Sequence, residues 1–573
     1  MHLYEETKGK IFKAHYVRGI FPTNYQVLYK NIFELLQYRA HAEQDNIFIT
    51  FYSETGEKTN LTYSEFIKKV FQTANYLKNL GIEPEDRIAT VSHNHVYTVI
   101  QYFAAWCLGA TVVPLNVNEE PERIKYILKS SVTKLAFVNH EYYDMMLMVM
   151  GNMKLNLILH DVKNKTKFIE GIPVFEDEIS RQPGEFTPNP IVNRQTEALI
   201  VYTSGTTGLP KGVVLTQYNL MIDADGIAKW HKLEHGEAMM CVLPIHHVNG
   251  TIVTLMTPMY YGGRIVLNQK FHTNYFFKRL REEKVHVVSV VPTLLQFLWH
   301  DYENEPARGA MESYLPDFRH IICGAGPLTC ELASKFEEMF KLRIVHGYGL
   351  SETTCYSCFI PVDLPADEHK RWQNEFGFPA IGIEIEPNEM DIQNDKGESV
   401  HEGERGEIVI RGHNVMKYYD SNPEANAKTF EFNWFRSGDE GFFKFDAKRR
   451  KYFFITGRIK ELIIRGGVNI APLEIDEVIM SIPEVKAGIA VGFDNDWYGE
   501  EVGALILLKE GIKQSESIKS EIISKCLERL PFYKTPKIII FSDFIPVTST
   551  GKYQRNKVKH LFEEYKTFQF KGK

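Results

Sequence analysis

The stretch ALIVYTSGTTGLPKGVVLT (residues 198–216) places a polar, glycine-rich loop between two short β-branched apolar runs. Glycine permits unusual backbone angles, while hydroxyl groups and a single lysine are suited to hold a polyanion such as a phosphate chain. The residues concerned are Thr203, Ser204, Gly205, Thr206, Thr207, Gly208 and Lys211. The stretch therefore predicts a phosphate-binding loop.

The spacing of this loop differs from that of a Walker-type phosphate loop. Counting from Gly205 puts Pro210 where the second glycine of G-x-x-x-x-G-K-[ST] belongs, and Gly212 follows the lysine. The next residues, VVLT, are β-branched and apolar, so the loop is expected to connect two strands instead of leading into a helix. From these residues alone, a surface turn remains an alternative.

Composition indicates an ordinary globular protein with more than one domain. The chain has 573 residues, of which 44% are hydrophobic and 24% charged, and its formal net charge is −7. A single compact core does not extend over so many residues, so at least two domains are expected. The negative balance argues against nucleic acid or an anionic membrane as a partner, and an anionic ligand must be bound locally.

The cysteine pattern and the polar N-terminal residues favour a cytoplasmic location. The seven cysteines are scattered, and the CYSC pair, Cys355 and Cys358, is interpreted as packing. The N-terminal residues contain no apolar signal-peptide core. Residues 96–115 carry no charge over a membrane-spanning length. Because Gln101, Gly109 and a β-branched end interrupt them, a buried helix followed by a buried strand is predicted, and no transmembrane segment.

Apolar runs alternate with amphipathic helical patterns over most of the chain. RIATVSH, ATVVPL, KLAFVNH, LNLILH, MMCVLP, GRIVLN, VHVVSVVP and RHIICGAG read as strands, and residues 64–81 and 330–341 as helices. Near-continuous apolar strands separated by helices predict an α/β fold with sheets covered on both faces.

The pattern changes twice toward the C-terminus. Short strands with turns predict a small β subdomain over about residues 382–457. A compact α+β unit follows, with a helix at LEIDEVIMSIPEV and strands at AGIAVGF, EVGALILLK and KIIIFSDF. We therefore expect a large multi-layered N-terminal domain (1–459) and a mobile α+β C-terminal domain (460–573).

Four further segments follow the loop in order. They are HGYGLSETT (346–354), WFRSGDEG (434–441), TGRIKELIIRGGVNIAPLEIDE (456–477) and IPVTSTGKYQRNKV (545–558). Together with the loop they resemble the signatures of the adenylate-forming superfamily, which includes acyl- and aryl-CoA synthetases, adenylation domains of nonribosomal peptide synthetases and firefly luciferase. The resemblance covers the chain from about residue 30 to about 560.

The resemblance implies an ATP site, with Glu352 as the Mg²⁺ ligand, Asp439 as acceptor for the ribose hydroxyls and Arg458 as cationic partner of ribose and phosphate. Tyr348 matches the ring that stacks on adenine in the family. Further expected nucleotide contacts are Gly324, Ala325, Gly326, Gly347, Gly349 and Ser351. Residue types support these roles, because Mg²⁺ prefers a carboxylate together with phosphate oxygens and water.

Lys552 matches the family lysine that reaches from the small domain to the reacting carboxylate and α-phosphate, and Thr207 is expected to assist catalysis. Lys460 matches the hinge position between two domain arrangements. In the second arrangement the RGGVN loop enters the site, where Gly466 and Gly467 leave room for a pantetheine arm. The active site is therefore expected to be completed by domain closure.

LPIHHVNG (243–250) resembles the segment that borders the acyl pocket. Amino-acid-activating relatives usually carry an Asp there, so the histidines disfavour an α-amino acid substrate. His247 matches a family position next to the reacting carboxylate, and a core histidine is the alternative. Val248, Pro292 and Thr293 complete the expected pocket, whose apolar surroundings fit a fatty or an aryl acid.

The resemblance implies that ATP activates a small-molecule carboxylic acid as an acyl-adenylate, which then passes to a thiol, expected to be coenzyme A. A ligase that loads the phosphopantetheine arm of a carrier protein, a luciferase-like oxidase and a nucleotide-binding pseudoenzyme are the alternatives. Glu352, Asp439, Arg458 and Lys552 argue against the pseudoenzyme.

Overall fold

The computed structural model describes residues 3–24, 27–162, 171–203, 209–302, 314–548 and 553–571. The α-helices are α1 (Glu5–Ala14), α2 (Ile32–Ala42), α3 (Tyr63–Asn79), α4 (Val96–Leu108), α5 (Pro121–Ser130), α6 (Tyr143–Met150), α7 (Phe175–Ser180), α8 (Gln217–Trp230), α9 (Thr257–Tyr261), α10 (Thr273–Glu282), α11 (Pro292–Tyr302), α12 (Cys330–Phe340), α13 (Ala366–Asn374), α14 (Pro423–Thr429), α15 (Pro472–Met480) and α16 (Glu516–Arg529). A π-helix spans Asn249–Met256.

The strands of the N-terminal part come in two groups. The first are β1 (Ile47–Tyr52), β2 (Lys58–Thr62), β3 (Arg87–Val91), β4 (Thr111–Leu115), β5 (Leu135–Asn139), β6 (Asn156–His160), β7 (Glu197–Thr203), β8 (Lys211–Thr216), β9 (Ala238–Cys241), β10 (Arg264–Asn268), β11 (Val285–Val290), β12 (His320–Cys323), β13 (Ile344–Tyr348), β14 (Cys358–Phe359) and β15 (Ile383–Glu384). The second are β16 (Asn388–Gln393), β17 (Gly406–Gly412), β18 (Tyr418–Tyr419), β19 (Phe435–Phe445) and β20 (Lys451–Arg458).

The C-terminal part adds β21 (Ile463–Arg465), β22 (Val468–Ile470), β23 (Val485–Asn495), β24 (Gly499–Leu508) and β25 (Ile538–Phe541). Within the described residues, two largely parallel sheets run in the orders β15-β14-β13-β12-β11-β9-β10-β1-β2 and β18-β8-β7-β4-β3-β5-β6. A four-stranded sheet has the order β16-β17-β19-β20, and the C-terminal sheet the order β22-β21-β24-β23 with β25 beside β24. The predicted α/β fold is confirmed.

The uncharged stretch at residues 96–115 forms a buried helix and a buried strand, as predicted. α4 is buried along nearly its whole length and ends at Gly109, whose φ is 91°. A Cβ at this glycine would lie 2.6 Å from a methyl group of Val192, so a larger residue fits poorly. Among the described residues, no helix combines the length and the apolar character that a membrane crossing requires.

Two short strands depart from the expected subdomain at about 382–457. β15 closes one edge of the nine-stranded sheet, and β18 pairs with β8 at the edge of the seven-stranded sheet. The remaining strands, β16, β17, β19 and β20, form an antiparallel sheet of their own. The segment is therefore tied to both large sheets, which a pattern of short strands could not indicate.

The C-terminal part has a core of its own, built around buried residues of α15, β23, β24 and α16, such as Ile475 and Ile506. The predicted helix at LEIDEVIMSIPEV is shorter than expected, since α15 ends at Met480 and β23 starts at Val485. α15 packs against both β20 and α12 of the large domain. The small domain thus lies against the four-stranded sheet and α12 of the large domain.

Candidate active site

The opening loop joins two antiparallel strands, as predicted. β7 ends at Thr203 and β8 begins at Lys211, and these two residues are paired in the register. Ser204, Gly205, Thr206, Thr207 and Gly208 lie outside the described residues, so their roles stay predictions. The strand pair fixes where the loop leaves and re-enters the sheet, and it holds Lys211 half-buried at that point.

Lys211 lies beside an acidic group on the neighbouring segment. Its Nζ is 4.9 Å from the centre of the Tyr419 ring, and the Tyr419 hydroxyl donates to Glu352 Oε1 at 2.8 Å. Burial lowers the pKa of Lys211, and the Glu352 carboxylate opposes this shift. Lys460 adds a repulsion that lowers the same pKa, so the hinge lysine lies within electrostatic reach. One cation and one carboxylate therefore face the same region.

Hydrogen bonds to neighbouring segments hold the backbone around Glu352. Its carbonyl accepts from the Met416 amide at 2.7 Å, and the Thr354 hydroxyl donates to the Asn414 carbonyl at 2.5 Å. The Asn414 side chain donates in turn to the fully buried Asp223 at 2.7 Å. Burial raises the pKa of Asp223 to about 8. This buried network positions the segment that presents Glu352.

Asp439, Arg458 and Tyr348 form a second polar group. Asp439 and Arg458 are cross-strand partners on β19 and β20, with Nε and Oδ1 2.8 Å apart. The Tyr348 hydroxyl donates to Asp439 Oδ2 at 2.6 Å. The Asp439 carboxylate raises the pKa of Arg458, while burial and the same carboxylate raise the pKa of Tyr348. All three side chains are thus held in fixed positions.

Glycines bring the strand ends close together at this point. A Cβ at Gly347 would lie 2.2 Å from the Phe359 ring, and one at Gly349 would lie 1.8 Å from the Cys355 carbonyl oxygen. Neither contact is sterically allowed, so backbone without side chains borders the site here. The expected strip at residues 324–326 lies alongside, with Ala325 at a φ of 61°.

A cavity of about 150 Å³ brings most of these groups together. Its lining comprises Ala325, Gly326, Pro327, His346, Gly347, Tyr348, Gly349, Leu350, Ile381, Asp439, Ile455, Gly457, Arg458, Glu461, Pro472, Leu473, Tyr553 and Arg555. The N-terminal part supplies the residues up to Arg458, and the C-terminal part supplies the others. Gly324 precedes this lining on the chain, and Ser351 follows it on a short turn at Ser351–Thr353. Of the predicted nucleotide residues, those that line this cavity are Ala325, Gly326, Gly347, Tyr348, Gly349, Asp439 and Arg458.

The small domain contributes residues to which the sequence assigned no role. Tyr553 follows Lys552, and Lys552 itself lies outside the described residues. Arg555 is buried and pairs with Asp476, and its Nη1 also donates to the Ala490 carbonyl at 2.8 Å. The arginine is the last residue of the G-K-x-x-R signature, which was the available signal for it. The pair holds the segment after Lys552 against the small domain.

A smaller cavity of about 60 Å³ adjoins the first. Pro292 and Thr293 line it together with Gly326 and, from the small domain, Glu477 and Tyr553. Neither of these two cavities includes His247 or Val248 in its lining. Pro292 and Thr293 thus border the expected acyl region, and His247 and Val248 stay predictions for it.

His247 and Val248 lie at the start of the π-helix, a form of helix that is rare and frequent at functional sites. Val248 is buried, and the ring centroids of His246 and His247 are 4.4 Å apart. Burial holds the pKa of His246 well below its ordinary value, so this imidazole is neutral near pH 7. Behind the π-helix, Ser289 donates to Asn249 at 2.7 Å. A neutral histidine provides no counter-charge for a substrate carboxylate.

The glycine turn of the expected thiol tunnel is exposed, whereas the expected hinge adjoins Arg458 and Glu461, which line the larger cavity. Gly466 and Gly467 form an exposed turn between β21 and β22, with φ values of 57° and 83°. Lys460 belongs to a short turn, Ile459–Glu461, directly after β20. In this arrangement of the domains, the residues after Lys552 face the nucleotide cavity and the glycine turn faces solvent.

Comparisons with known proteins agree with this geometry. A family model described as AMP-binding enzyme matches residues 36–420, and one described as AMP-binding enzyme C-terminal domain matches residues 474–552. The chain is 31% identical over 510 residues to an oxalate–CoA ligase of Arabidopsis thaliana, covering 88% of this chain and 94% of the relative. It is 30% identical over 507 residues to a probable CoA ligase of Humulus lupulus, with coverages of 88% and 92%.

A solved structure supports the same fold. The anthranilate CoA ligase AuaEII, crystallised with anthranoyl-AMP, superposes with a TM-score of 0.82. The match covers 95% of this chain and 99% of the other at 22% identity, so it shows the fold alone. The predicted resemblance to adenylate-forming enzymes is confirmed by the family models and by the sequence relatives.

Proposed function

The chain belongs to the AMP-binding enzyme family of AMP-forming acid–thiol ligases, and we propose that it activates a carboxylic acid without an α-amino group and transfers the acyl group to coenzyme A. Fatty and aryl acids are the first candidates. Oxalate, the acid for which the Arabidopsis thaliana relative is named, also lacks an amino group. His246 and His247 at the pocket segment support this class, because no carboxylate is present there to pair with an ammonium group.

One observation carries the proposal: the same cavity is lined by Asp439, Arg458 and Tyr348 of the large domain and by Tyr553 and Arg555 of the small domain. Asp439 is suited to accept hydrogen bonds from ribose hydroxyls, as acidic residues do in other nucleotide-binding folds. Arg458 supplies positive charge next to the phosphates. The position of Tyr553 supports a role for its neighbour Lys552 at the reacting atoms.

In the first half-reaction, a carboxylate oxygen of the acid attacks the α-phosphorus of ATP, and pyrophosphate leaves. The developing negative charge requires fixed cations, because catalysis of phosphoryl-type transfer depends on positioning and charge compensation. We propose that Lys211 and the loop at residues 203–208 hold the leaving pyrophosphate. Lys552 would stabilise the oxygen that forms the new bond, and Thr207 would orient the phosphates.

Glu352 fits a Mg²⁺ ligand. Mg²⁺ is typically held by one or two carboxylates together with phosphate oxygens and water, so a single protein carboxylate suffices. The Tyr419 hydroxyl orients the Glu352 carboxylate by donating to one of its oxygens. When bound, the metal would neutralise charge on the phosphates, and Glu352 would set its position.

In the second half-reaction, the thiol sulfur attacks the acyl carbon and AMP leaves. We propose that the small domain, residues 460–573, turns about Lys460 between the two steps. The exposed turn with Gly466 and Gly467 would then replace the segment around Lys552 at the cavity. Glycine at both positions leaves space for a narrow pantetheine chain.

Free cysteines among the described residues fit the expected cytoplasmic location.

Pyrophosphate release tests the proposal. Purified protein with ATP and Mg²⁺ is offered fatty, aryl, short dicarboxylic and amino acids, with coenzyme A and a phosphopantetheinylated carrier protein as separate acceptors. We expect release with a non-amino acid and thioester formation on coenzyme A. Release with amino acids alone would overturn the substrate class, thioester on the carrier alone would overturn the acceptor, and no release with any acid would favour a nucleotide-binding pseudoenzyme.

A further inference from the structure

Glu477 makes a direct contact between the two domains. It lies on α15 of the small domain, and its carboxylate accepts from the backbone amides of Cys330 and Glu331, at 3.0 Å and 3.2 Å. These amides open α12 of the large domain, an eleven-residue helix. The side chain therefore bridges the domains at the edge of the smaller cavity, which it also lines.

The backbone N–H groups at the start of α12 donate hydrogen bonds to acceptors from both domains. An α-helix leaves its first four N–H groups without intrahelical partners. The Leu332 amide donates to the side-chain hydroxyl of the N-cap residue Thr329 at 3.1 Å, and the Ala333 amide makes the first intrahelical bond, to the Thr329 carbonyl, at 3.1 Å. The amides of Cys330 and Glu331, which have no intrahelical partner, donate to Glu477. The large domain thus caps the Leu332 amide with its own side chain, and the small domain caps the amides of Cys330 and Glu331.

Other polar contacts across this interface are weaker. Arg405 and Glu474 approach to 3.5 Å, at a partly exposed position. Gln296 donates to the Lys486 carbonyl at 3.0 Å on the surface. A carboxylate at a helix N-terminus has both hydrogen bonds and the helix dipole in its favour, whereas exposed pairs contribute little. Glu477 is therefore the contact on which this domain arrangement depends most.

We propose that Glu477 is a positioning residue for adenylation: its contact with the start of α12 holds the small domain where Tyr553 and Arg555 line the nucleotide cavity, and it must break before thioester formation. The inference rests on the proposed two-step function. It predicts that weakening the contact changes the balance between the half-reactions instead of lowering both. The rate of thioester formation from preformed acyl-adenylate, divided by the rate of pyrophosphate release, is the quantity to measure.

Two substitutions weaken the contact from opposite sides. Glu477→Ala removes the acceptor. Cys330→Pro removes one of the donors, at the first helical position, where proline is tolerated. The preceding residue, Thr329, has φ −93° and ψ 151°, which is compatible with a following proline. We expect each to raise the ratio roughly tenfold, since a lost hydrogen bond to a charged group changes an equilibrium by about that factor or more.

Matched controls separate the contact from other effects. Glu484→Gln removes a carboxylate that pairs with Lys525 inside the small domain, and it should leave the ratio within about twofold of the wild-type value, as surface changes usually do. Cys330→Ala keeps the amide but removes the thiol, which also interacts with Glu477, so it should change the ratio less than Cys330→Pro does. If Glu477→Ala or Cys330→Pro lowers both half-reactions equally, or leaves the ratio unchanged, the proposal is wrong.

The contact should also depend on pH. Burial raises the pKa of Glu477 to about 7; Glu331 adds repulsion, and the Cys330 and Glu331 amides and Arg529 oppose the shift. When the small domain is released and the Glu477 carboxyl is in water, its pKa is about 4.3. The docked form therefore binds more protons, so docking weakens as pH rises from about 4 to about 7 and is constant above that. The ratio should rise over this window in the wild type and stay at its acidic value in Glu477→Gln.

A measurement without substrates keeps the proposal separate from the proposed function. Hydrogen exchange of the Cys330 and Glu331 amides reports the contact directly in the ligand-free protein. Faster exchange at these two amides in Glu477→Ala, with unchanged exchange in the core strands β11 and β12, is the expected result. Unchanged exchange at Cys330 and Glu331 would overturn the contact even if ligase activity is found. Absence of pyrophosphate release in the wild type would overturn the proposed function and leave the exchange result standing.

Discussion

The nucleotide cavity has two walls of different origin. Asp439, Arg458 and Tyr348 come from strands of the large domain, and Asp439 contacts both of the others directly. Tyr553 and Arg555 come from the small domain, and Arg555 is held by Asp476 of that same domain. The first group is called the fixed wall, and the second the moving wall.

The difference between the walls shows how one cavity can serve two reactions. Hydrogen bonds and ion pairs inside the fixed wall do not depend on where the small domain lies. The moving wall is internally bonded as well, but it meets the cavity only through the interface that includes Glu477. A change in the moving wall should therefore separate the half-reactions, and a change in the fixed wall should affect both.

Lys552→Ala tests the moving wall and should have the largest effect. Loss of a charge-stabilising donor in an active site costs about 10²- to 10³-fold in rate, so pyrophosphate release should fall by at least a hundredfold. Thioester formation from preformed acyl-adenylate should be largely retained, because the proposed rotation of the small domain precedes that step. Lys557→Ala, an exposed lysine of the same domain, is the control. Equal loss of both half-reactions would contradict the proposal that the moving wall acts in adenylation only.

Arg555→Met tests the support of the moving wall. It leaves the buried Asp476 without its cationic partner, and breaking a buried pair costs about 3 kcal/mol or more in the free energy of unfolding. Thermal unfolding followed by calorimetry should show destabilisation of the small domain, with the large domain less affected. Replacing Asp476 by Asn in the same background should recover part of the loss. If the single variant unfolds like the wild type, the pair does not support this wall.

All three residues of the fixed wall were predicted from the sequence, because HGYGLSETT, WFRSGDEG and TGRIKELI resemble family signatures. The structure brings them together by two routes: Asp439 and Arg458 are partners on the antiparallel strands β19 and β20, and Tyr348 reaches Asp439 from the end of β13. Strand pattern alone would not have indicated this meeting, since Asp439 lies in the middle of its strand.

The moving wall and the contacts behind Glu352 could not be predicted in the same way. Glu477 meets α12 over a separation of almost 150 residues in sequence, and nothing in LEIDE marks it as a helix cap for another domain. Tyr419 reaches Glu352 because the two-residue strand β18 joins the edge of another sheet. Such a short strand has no periodicity to detect. Contacts of this kind depend on how elements pack, which a single sequence does not specify.

Asp439→Asn tests the fixed wall. The substitution keeps the shape but removes the charge that pairs with Arg458 and would accept from the ribose. A hydrogen bond to a charged group contributes about 1.5 kcal/mol or more, so the KM for ATP should rise roughly tenfold. Thioester formation from acyl-adenylate should weaken by a similar factor, since both nucleotides use this wall. Asp446→Asn, which disturbs a pair with Arg450 in a turn of the same subdomain, is the control. An effect on one half-reaction alone would place Asp439 with the moving wall.

Tyr419→Phe should have the smallest effect. It removes only the hydroxyl that donates to Glu352 Oε1, while the ring next to Lys211 remains. A single hydrogen bond of this kind contributes about 1 kcal/mol, so the Mg²⁺ concentration for half-maximal pyrophosphate release should rise about fivefold. The rate at saturating Mg²⁺ should change little, because Glu352 keeps its backbone anchor to Met416. Tyr418→Phe, which alters a neighbouring contact with Glu197, serves as the control. A fall in the saturated rate with no change in the Mg²⁺ requirement would assign Tyr419 to the support of Lys211 instead of Glu352.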